Sequence, residues 1–362
     1  MYASASLTRL KAARRLTKRA LRQRERAFLA EGPQAVSEAL ATGAAVRGLF
    51  VTAPAQARHG DLVARAEAAG VDIQLVSGEV MSELAQTVTP QGLLAVCDFV
   101  DVPLATVTAA RPTLVALLAN VRDPGNAGTV LRAADAAGAD AVIFADASVD
   151  PYNGKCVRAS AGSLFHLPVV AGARLAEAVA GLKAAGLRVL AADGQGSGAL
   201  DDPRTARALA APTAWLFGNE AWGLPGDLLA LADESVAVPI YGRAESLNLA
   251  TAAAVCLYAS ALSQRAARQS GPAATATSRP ATATPLGAAG AVPGLSRRGG
   301  SHGGGGSPED SGGAPVLLGG TPRDSGGFRG DHSPGGEKSA PALLGGMFLS
   351  VKHYDYLTLS AQ

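Results

Sequence analysis

The sequence predicts an α/β protein of two domains, followed by a tail that has no core. Three observations support this fold class. Short apolar runs, typical of buried strands, alternate with helical segments up to about residue 265. A stretch with two prolines, at 101–112, divides this alternation into two parts. After about Arg268 the chain is rich in Gly, Ser, Pro, Thr and Ala, and such a composition cannot bury a core.

Composition fits a cytoplasmic protein and includes one strongly basic segment. The chain has 362 residues, 48% of them hydrophobic, and a net charge of only +2. Nine Lys or Arg nevertheless lie between Arg9 and Arg26, against one acid, Glu25. Such a segment suits nucleic acid, although a solvated helix face is the alternative.

The cysteines and the apolar runs exclude other classes. Cys97, Cys156 and Cys256 are far apart and lack CxxC spacing, so neither a disulfide framework nor a zinc site is expected. Such cysteine usage fits a reducing cytoplasm. The basic N-terminus lacks the apolar region of a signal peptide, and no apolar run reaches the length of a membrane span.

The first part of the chain reads as a basic helix and then a small α/β unit. Residues 5–30 place Leu7, Leu10, Leu16 and Leu21 among the basic residues, and Gly32-Pro33 ends this predicted helix. The predicted elements that follow are a helix at 33–42, a strand at 46–52, a helix at 60–69, a strand at 73–76, a helix at 80–85 and a strand at 93–99.

The second part begins with strand–turn–helix–strand. Leu114–Ala119 is a continuous apolar run, typical of a buried parallel strand. A turn at 123–126, a helix at 127–137 ended by Gly138, and a strand at 141–144 follow. A helix and strand are then predicted within 173–192.

The glycines at 194–198 partly resemble the GxGxxG sequence of a dinucleotide-binding loop. The third glycine of GxGxxG is out of register, and the acidic residue expected about 20 positions later is missing. We therefore interpret this run as unrelated to nucleotide binding, which argues against a nucleotide-dependent oxidoreductase.

Residues 213–262 organise the rest of the chain. One apolar run, 214–217, enters Gly218-Asn219-Glu220, and a second, 236–240, enters Tyr241-Gly242. Ser246 and Asn248 then precede a long Ala-rich segment and are candidate N-caps of a helix. Loops that leave the carboxyl ends of parallel strands are where α/β sheets bind ligands.

These stretches resemble a known enzyme family. FGNEAWGL followed by VPIYGRAESLNLATAAAVCLY is similar to motifs 2 and 3 of the SpoU (TrmH-type) RNA 2′-O-ribose methyltransferases of the SPOUT superfamily. DPGNAGTVLRAADAAG resembles motif 1 of the same family. The resemblance implies a deep trefoil knot, with S-adenosylmethionine bound in it and no metal required. It also implies a homodimer in which one protomer completes the active site of the other.

The resemblance also implies roles for individual residues. Arg132 would act as the base for the ribose hydroxyl or as a cation that orients it, and Ser246 would be an active-site residue or only an N-cap. The implied active-site residues are Asn126, Arg132, Glu220, Ser246 and Asn248. The implied cofactor-binding residues are Gly218, Asn219, Gly223, Val238, Ile240 and Leu247.

FLAEGPQAVSEAL and TVTPQGLLAV resemble the L30e-like substrate-binding domain that precedes the catalytic domain in many family members. Arg14, Arg15, Arg22 and Arg158 are the candidate RNA contacts. Arg158 could equally form a local salt bridge, and His166 is interpreted as structural.

The resulting expectation is a substrate-binding domain at 1–100, a linker at 101–112, a knotted methyltransferase domain at 113–265 and a disordered tail at 266–362. The expected substrate is ribosomal RNA in preference to transfer RNA. The competing hypothesis is a non-catalytic RNA-binding protein with a vestigial knot.

Overall fold

The computed structural model describes residues 3–4, 6–44, 46–270 and 349–350. The predicted tail falls largely outside the described residues. Ser270 ends the last long helix, and 349–350 form a two-residue strand. No helix in the described part of the chain is long and apolar enough to cross a membrane.

The first part of the chain forms a mixed five-stranded sheet with helices on both faces. The sheet order is β1-β4-β3-β5-β2, in which β5 runs antiparallel to β3 and to β2. Its strands are β1 (Ala3–Ser4), β2 (Ala27–Glu31), β3 (Val46–Thr52), β4 (Ile73–Val76) and β5 (Leu93–Asp98). Its helices are α1 (Leu7–Arg15), α2 (Arg19–Glu25), α3 (Pro33–Ala41), α4 (Ala53–Arg58), α5 (Gly60–Ala68) and α6 (Gly78–Leu84).

The predicted basic helix at 5–30 was wrong in extent. The helical path breaks at Lys18, which is extended, and again at Arg26, whose φ of 49° ends α2 in the left-handed region. The next four residues, Ala27 to Ala30, are buried and pair with β5 as a strand. Burial on both faces of the sheet explains why this run is apolar throughout.

The second part forms a parallel seven-stranded sheet, in the order β10-β12-β9-β11-β6-β7-β8. Its strands are β6 (Leu114–Leu118), β7 (Ala141–Ala145), β8 (Val169–Ala173), β9 (Arg188–Ala192), β10 (Gly198–Ala199), β11 (Thr213–Phe217) and β12 (Glu234–Ala237). The helices after β6 are α8 (Pro124–Ala137), α9 (Gly154–Ala159), α10 (Leu175–Ala184), α11 (Pro203–Ala208), α12 (Gly226–Leu229) and α13 (Leu249–Ser270). The short strand β13 (Ser246–Leu247) pairs antiparallel with β14 (Leu349–Ser350).

The segment predicted as a linker has structure of its own. It contains α7 (Leu104–Ala109), in which Val107 is buried in the core of the second sheet. Asp101 forms a parallel bridge with Val169 of β8. This segment therefore packs against the second sheet.

Aromatic stacking joins the two sheets. Tyr152, after β7, stacks on Phe99 with 3.7 Å between ring centroids and lies 4.8 Å from the ring of Phe28 in β2. Its hydroxyl donates to Asp101 Oδ1 at 2.8 Å and accepts from two backbone N–H groups, those of Val100 and Asp101. The largest buried cluster accordingly contains residues of both sheets.

A buried ion pair crosses the same junction. Arg22 of α2 and Asp150 are 3% and 4% exposed, and Arg22 Nη2 lies 2.7 Å from Asp150 Oδ2. Arg22 Nη1 also donates to the carbonyls of Leu16 and Thr17. These bonds fix the turn between α1 and α2 against the second sheet.

Removing one partner of this pair is expected to destabilise the fold strongly. Arg22→Met leaves the Asp150 charge buried and uncompensated, which costs about 3–5 kcal/mol. Urea unfolding would measure this loss in the free energy of unfolding. The control is Arg174→Met, in the exposed pair with Glu177, which should lose about 1 kcal/mol or less. The double variant Arg22→Met/Asp150→Leu is expected to recover most of the loss, and a single variant as stable as wild type would contradict the assignment.

His166 bridges the two parts of the chain through two carboxylates. Its Nδ1 lies 2.8 Å from Asp135 of α8, and its Nε2 lies 3.1 Å from Glu38 of α3. Partial burial opposes the charged form, but the bonds to Asp135 and Glu38 together raise the pKa of His166. The structure thus agrees with a structural role.

Stability should therefore depend on pH through His166. Because its pKa is raised on folding, its contribution is complete below the unfolded value of about 6.5 and is lost as pH rises through the folded value. We expect the Tm gap between wild type and His166→Ala to be largest near pH 6 and to shrink by pH 9. Gln23→Ala, an exposed substitution in α2 that removes no titratable group, should show a gap that does not change with pH.

Candidate active site

The loop after β6 is shaped by an N-cap. Asp123 caps α8 by accepting from the N–H of Asn126 at 2.8 Å. Lys155 Nζ donates to the other carboxylate oxygen at 2.7 Å. Partial burial opposes ionisation, but these bonds outweigh it and lower the pKa of Asp123. The helix that carries Asn126 and Arg132 thus begins at a fixed point.

The loop after β11 is a tight turn that needs glycine. A Cβ at Gly218 would lie 2.5 Å from the backbone of Gly223, so no larger residue fits there. The backbones of Asn219 and Gly223 exchange two hydrogen bonds of 2.9 Å. Asn219 Nδ2 donates to the carbonyl of Asn120, which joins this loop to the one after β6.

Glu220 lies at the centre of the site. It is fully buried, and its carboxylate accepts from the N–H groups of Arg122 and Asp123, both at 3.0 Å. Asn126 Nδ2 donates to the same carboxylate at 3.3 Å. Asn126 Oδ1 in turn accepts from Asn248 Nδ2 at 2.9 Å. Three predicted active-site residues from three separate motifs therefore form one hydrogen-bonded chain.

Asn248 also caps the last helix. Its Oδ1 accepts from the N–H of Ala250 at 2.9 Å, as predicted for an N-cap. Ser246 and Leu247 lie just before it, in β13, and are half-buried. Of the two candidate caps, the structure therefore uses Asn248.

The predicted cofactor loops leave the same edge of the sheet. Phe217 of β11 and Val236 of β12 both pair with Ala192 of β9, so these strands end side by side. Val238 and Ile240, after β12, are buried. The backbones of Gly218 and Val238 form no hydrogen bond with any other described residue. Buried backbone groups without partners are rare, so these suit a ligand with polar edges.

Arg132 lies outside the hydrogen-bonded chain. It is exposed on α8 and has no hydrogen bond or ion pair among the described residues. Asn126 bonds to Asn248 and the carbonyl of Ala136 accepts from Tyr258, so α8 and α13 run side by side in the same direction. Arg132 is therefore level with the second turn of α13, next to Val255.

The four predicted RNA contacts differ in availability. Arg14 and Arg15 are both exposed, but Arg14 is paired with Glu83. Arg158 pairs with Glu31 of β2, which favours the local salt bridge. Arg22 is buried in the Asp150 pair, so the structure corrects its assignment as an RNA contact. The sequence places Arg22 among other basic residues and gives no sign that it turns inward.

Sequence reasoning missed two residues of this edge. Asp123 stands before Pro124, a usual position for an N-cap, and this signal was available. Asp193 follows β9 directly, and its N–H donates to the carbonyl of Val236. The nearby Gly196 serves packing, since a Cβ there would lie 2.8 Å from the backbone of β12.

Comparisons with known proteins match two separate stretches of the chain, one in each sheet-forming part. The sequence profile of the SpoU rRNA Methylase family matches residues 113–258, and that of an MRM3-like substrate binding domain matches residues 8–95. The chain is 38% identical over 237 residues to the 23S rRNA (guanosine(2553)-2′-O)-methyltransferase RlmP of Bacillus subtilis. That alignment covers 66% of this chain and 89% of the relative.

Solved structures agree with this relationship. The AdoMet-bound rRNA methyltransferase of Sinorhizobium meliloti is 33% identical, with a TM-score of 0.61, and the match covers 71% of this chain and 96% of that one. The SpoU methyltransferase AviRb of Streptomyces viridochromogenes, in complex with AdoMet, is 29% identical with the same TM-score, and the match covers 72% and 99% of the two chains. The chain therefore belongs to the SpoU rRNA methylase family.

Proposed function

We propose that this protein transfers the methyl group of S-adenosylmethionine to a ribose 2′-hydroxyl of ribosomal RNA. The observation that carries the proposal is the chain Glu220–Asn126–Asn248, which holds three family motifs together at one sheet edge. A decayed, purely RNA-binding relative would have no need of this network around the buried Glu220. The named rRNA 2′-O-methyltransferases among the relatives support the same substrate class.

The chemistry is an in-line displacement at carbon. The 2′-oxygen forms a bond to the methyl carbon, the carbon–sulfur bond breaks, and the hydroxyl proton leaves to a base or to water. When bound, S-adenosylmethionine supplies a methyl group on a positively charged sulfur. The protein's task is to hold the hydroxyl in line with that methyl and to exclude competing water, and positioning of this kind can supply much of the rate.

The cofactor would lie between the loops after β11 and β12. The free backbone groups of Gly218 and Val238 can bond polar edges of the nucleoside, and Ile240 and Leu247 supply apolar contact. Asn219 and Gly223 keep the first loop in shape. We assign this binding region to a trefoil knot, formed as the chain from β12 to α13 returns past the loop after β11.

Residues 1–100 would bind the RNA and residues 113–265 would carry the reaction, with 101–112 between them. Arg15 remains an exposed candidate contact, and the ion pairs of Arg14 with Glu83 and of Arg158 with Glu31 would have to open for RNA. Ribosomal RNA is preferred to transfer RNA because a separate substrate-binding domain precedes the catalytic one.

Transfer of tritium from labelled S-adenosylmethionine into purified ribosomal and transfer RNA tests this proposal. Label is expected in ribosomal RNA, with the product identified as a 2′-O-methylnucleoside after nuclease digestion. Label in transfer RNA alone would correct the substrate. No label and no cofactor binding by calorimetry would favour the non-catalytic RNA-binding protein.

A homodimer is expected through the exposed face of α13. Val255, Tyr258 and Leu262, which follow one side of this helix, are 41%, 44% and 63% exposed. Light scattering at micromolar concentration should give twice the mass of one chain, and Val255→Glu/Leu262→Glu should give monomers. Leu7→Glu, at an exposed leucine of α1, is the control that should remain dimeric. A monomeric wild type would refute the assembly.

A further inference from the structure

The substrate-binding part of the chain contains a cavity that the proposed reaction does not use. It lies between α1 and the first sheet and has a volume of about 400 Å³. That volume falls within the range of small-molecule sites, about 300–1,000 Å³. Its apolar lining comes from Leu16, Leu49, Phe50 and Val96.

The cavity exists because the facing positions are small. Ala12 and Ala13 of α1 face Ala27 of β2 and Gly48 of β3. Gly48 does not have a positive φ, so its backbone does not require glycine. A Cβ there would meet only the carbonyl of Asp72, at an ordinary 3.4 Å. Folding alone therefore does not explain why this wall is left open.

One polar group of the wall lacks a partner. Gln74, 5% exposed in β4, lines the cavity and donates its Nε2 to Asp72 Oδ2 at 2.7 Å. Because a carboxylate can only accept, the amide atom that faces Asp72 must be the nitrogen, and the oxygen lies on the other side. Gln74 Oε1 is then the only buried side-chain nitrogen or oxygen in the described residues without a hydrogen bond. The last torsion of glutamine is soft, so a small rotation can present this oxygen to a donor in the cavity.

The rim combines cations with acceptors. Arg9, Arg15 and Arg47 lie at its edge, together with Glu25 and Asp72. Arg9 pairs with Asp72, and Arg47 pairs with Asp98. Guanidinium groups at such a rim suit the phosphates of a nucleotide and the O6 and N7 acceptors of guanine. The side-chain oxygens of Gln74, Asp72 and Glu25 can accept from the N1 and N2 donors of guanine.

We propose that this cavity binds an unstacked guanine of the RNA, at a nucleotide other than the one that is methylated. The inference rests on the proposed function, since it supplies that reaction with a second point of RNA recognition. A planar base fits between α1 and the sheet, Gln74 Oε1 accepts from its edge, and the arginines hold the flanking phosphates. Proteins commonly recognise single-stranded RNA by such extruded bases.

The four ribonucleoside 5′-monophosphates test the site in the full-length protein by amide NMR titration. GMP should shift amides of α1, β3 and β4 and should bind roughly tenfold more tightly than AMP, CMP or UMP. Gly48→Val fills the cavity and should abolish these shifts. Ala12→Leu fills it from the exposed side of α1 and gives a second test should Gly48→Val fail to fold. Gln74→Leu should weaken GMP binding about fivefold, and Gln56→Leu, outside the cavity lining, should not change it.

The outcomes separate this inference from the proposed function. If S-adenosylmethionine binds and RNA is methylated, but no nucleotide shifts these amides or the filled variants still bind GMP, the guanine site is wrong and the enzyme assignment stands. If GMP binds here and no RNA is methylated, the site stands and the reaction fails. Equal binding of all four nucleotides would overturn the choice of guanine.

Discussion

Replacing Arg132 with alanine is expected to lower kcat for ribose methylation by about 10²–10³-fold, a typical loss when a group that stabilises developing negative charge is removed. The affinity for S-adenosylmethionine should not change, because Arg132 lies on α8, away from the loops assigned to the cofactor. Single-turnover methylation and calorimetry measure the two quantities separately. Arg207→Ala, at an exposed arginine of α11 that forms no ion pair with any described residue, is the matched control. Unchanged methylation by Arg132→Ala would remove this residue from the mechanism.

A guanidinium group is a poor base, since it holds its proton strongly. We therefore expect it to act chiefly as a cation that orients the hydroxyl and stabilises the oxygen as its proton leaves. Arg132→Lys keeps the charge but not the planar fork, and should retain part of the rate. If proton removal by a neutral Arg132 limited the rate, the lysine variant would instead show a shifted pH profile.

In the proposed homodimer, we expect Arg132 to serve the active site of the partner protomer. It is level with the exposed apolar face of α13 and apart from Asn126, Glu220 and Asn248 of its own chain. A mixed dimer has one Arg132→Ala chain and one Glu220→Gln chain. If each active site combines Glu220 of one chain with Arg132 of the other, one site is intact and the other carries both substitutions. Mixed dimers should therefore regain activity that neither parent has. No recovery in purified mixed dimers would place Arg132 in the site of its own chain.

The sequence anticipated those elements whose pattern is set by local burial. The strands that begin at Leu114 and Ala141 end within one residue of their predicted ends, because strands buried on both faces are continuously apolar. β2 was missed because its short apolar run follows a leucine-containing basic helix, and short apolar runs do not distinguish strand from helix.

Contacts between distant residues could not be predicted in the same way. Arg22 and Asp150 are separated by 128 positions, and nothing local marks either as buried. Glu220 is one of the implied active-site residues, and its sequence context does not distinguish a role in fixing the loops from a contact with substrate. Its complete burial against Arg122 and Asp123, almost 100 positions earlier, favours the first of these roles.

Glu220→Gln is expected to cost both stability and activity. The carboxylate accepts from two backbone N–H groups and from Asn126, whereas an amide offers one oxygen and points its NH₂ at a donor. A buried donor left unsatisfied in this way costs about 1–3 kcal/mol, more beside a lost charge. Urea unfolding should show a loss of about 3 kcal/mol, and Glu177→Gln, in an exposed pair, should stay within about 0.5 kcal/mol of wild type.

The same substitution should slow methylation in a way that differs from Arg132→Ala. Without the carboxylate, the loops after β6 and β11 lose their common anchor, and Asn126 loses the bond that holds it against Asn248. A displacement of about 1 Å at the reacting centre can cost 10²-fold in rate. Because we also assign the loop with Gly218 to the cofactor, S-adenosylmethionine should bind more weakly to Glu220→Gln, whereas Arg132→Ala should leave that affinity unchanged. A Glu220→Gln protein with wild-type cofactor affinity and rate would show that the three motifs keep their positions without this carboxylate.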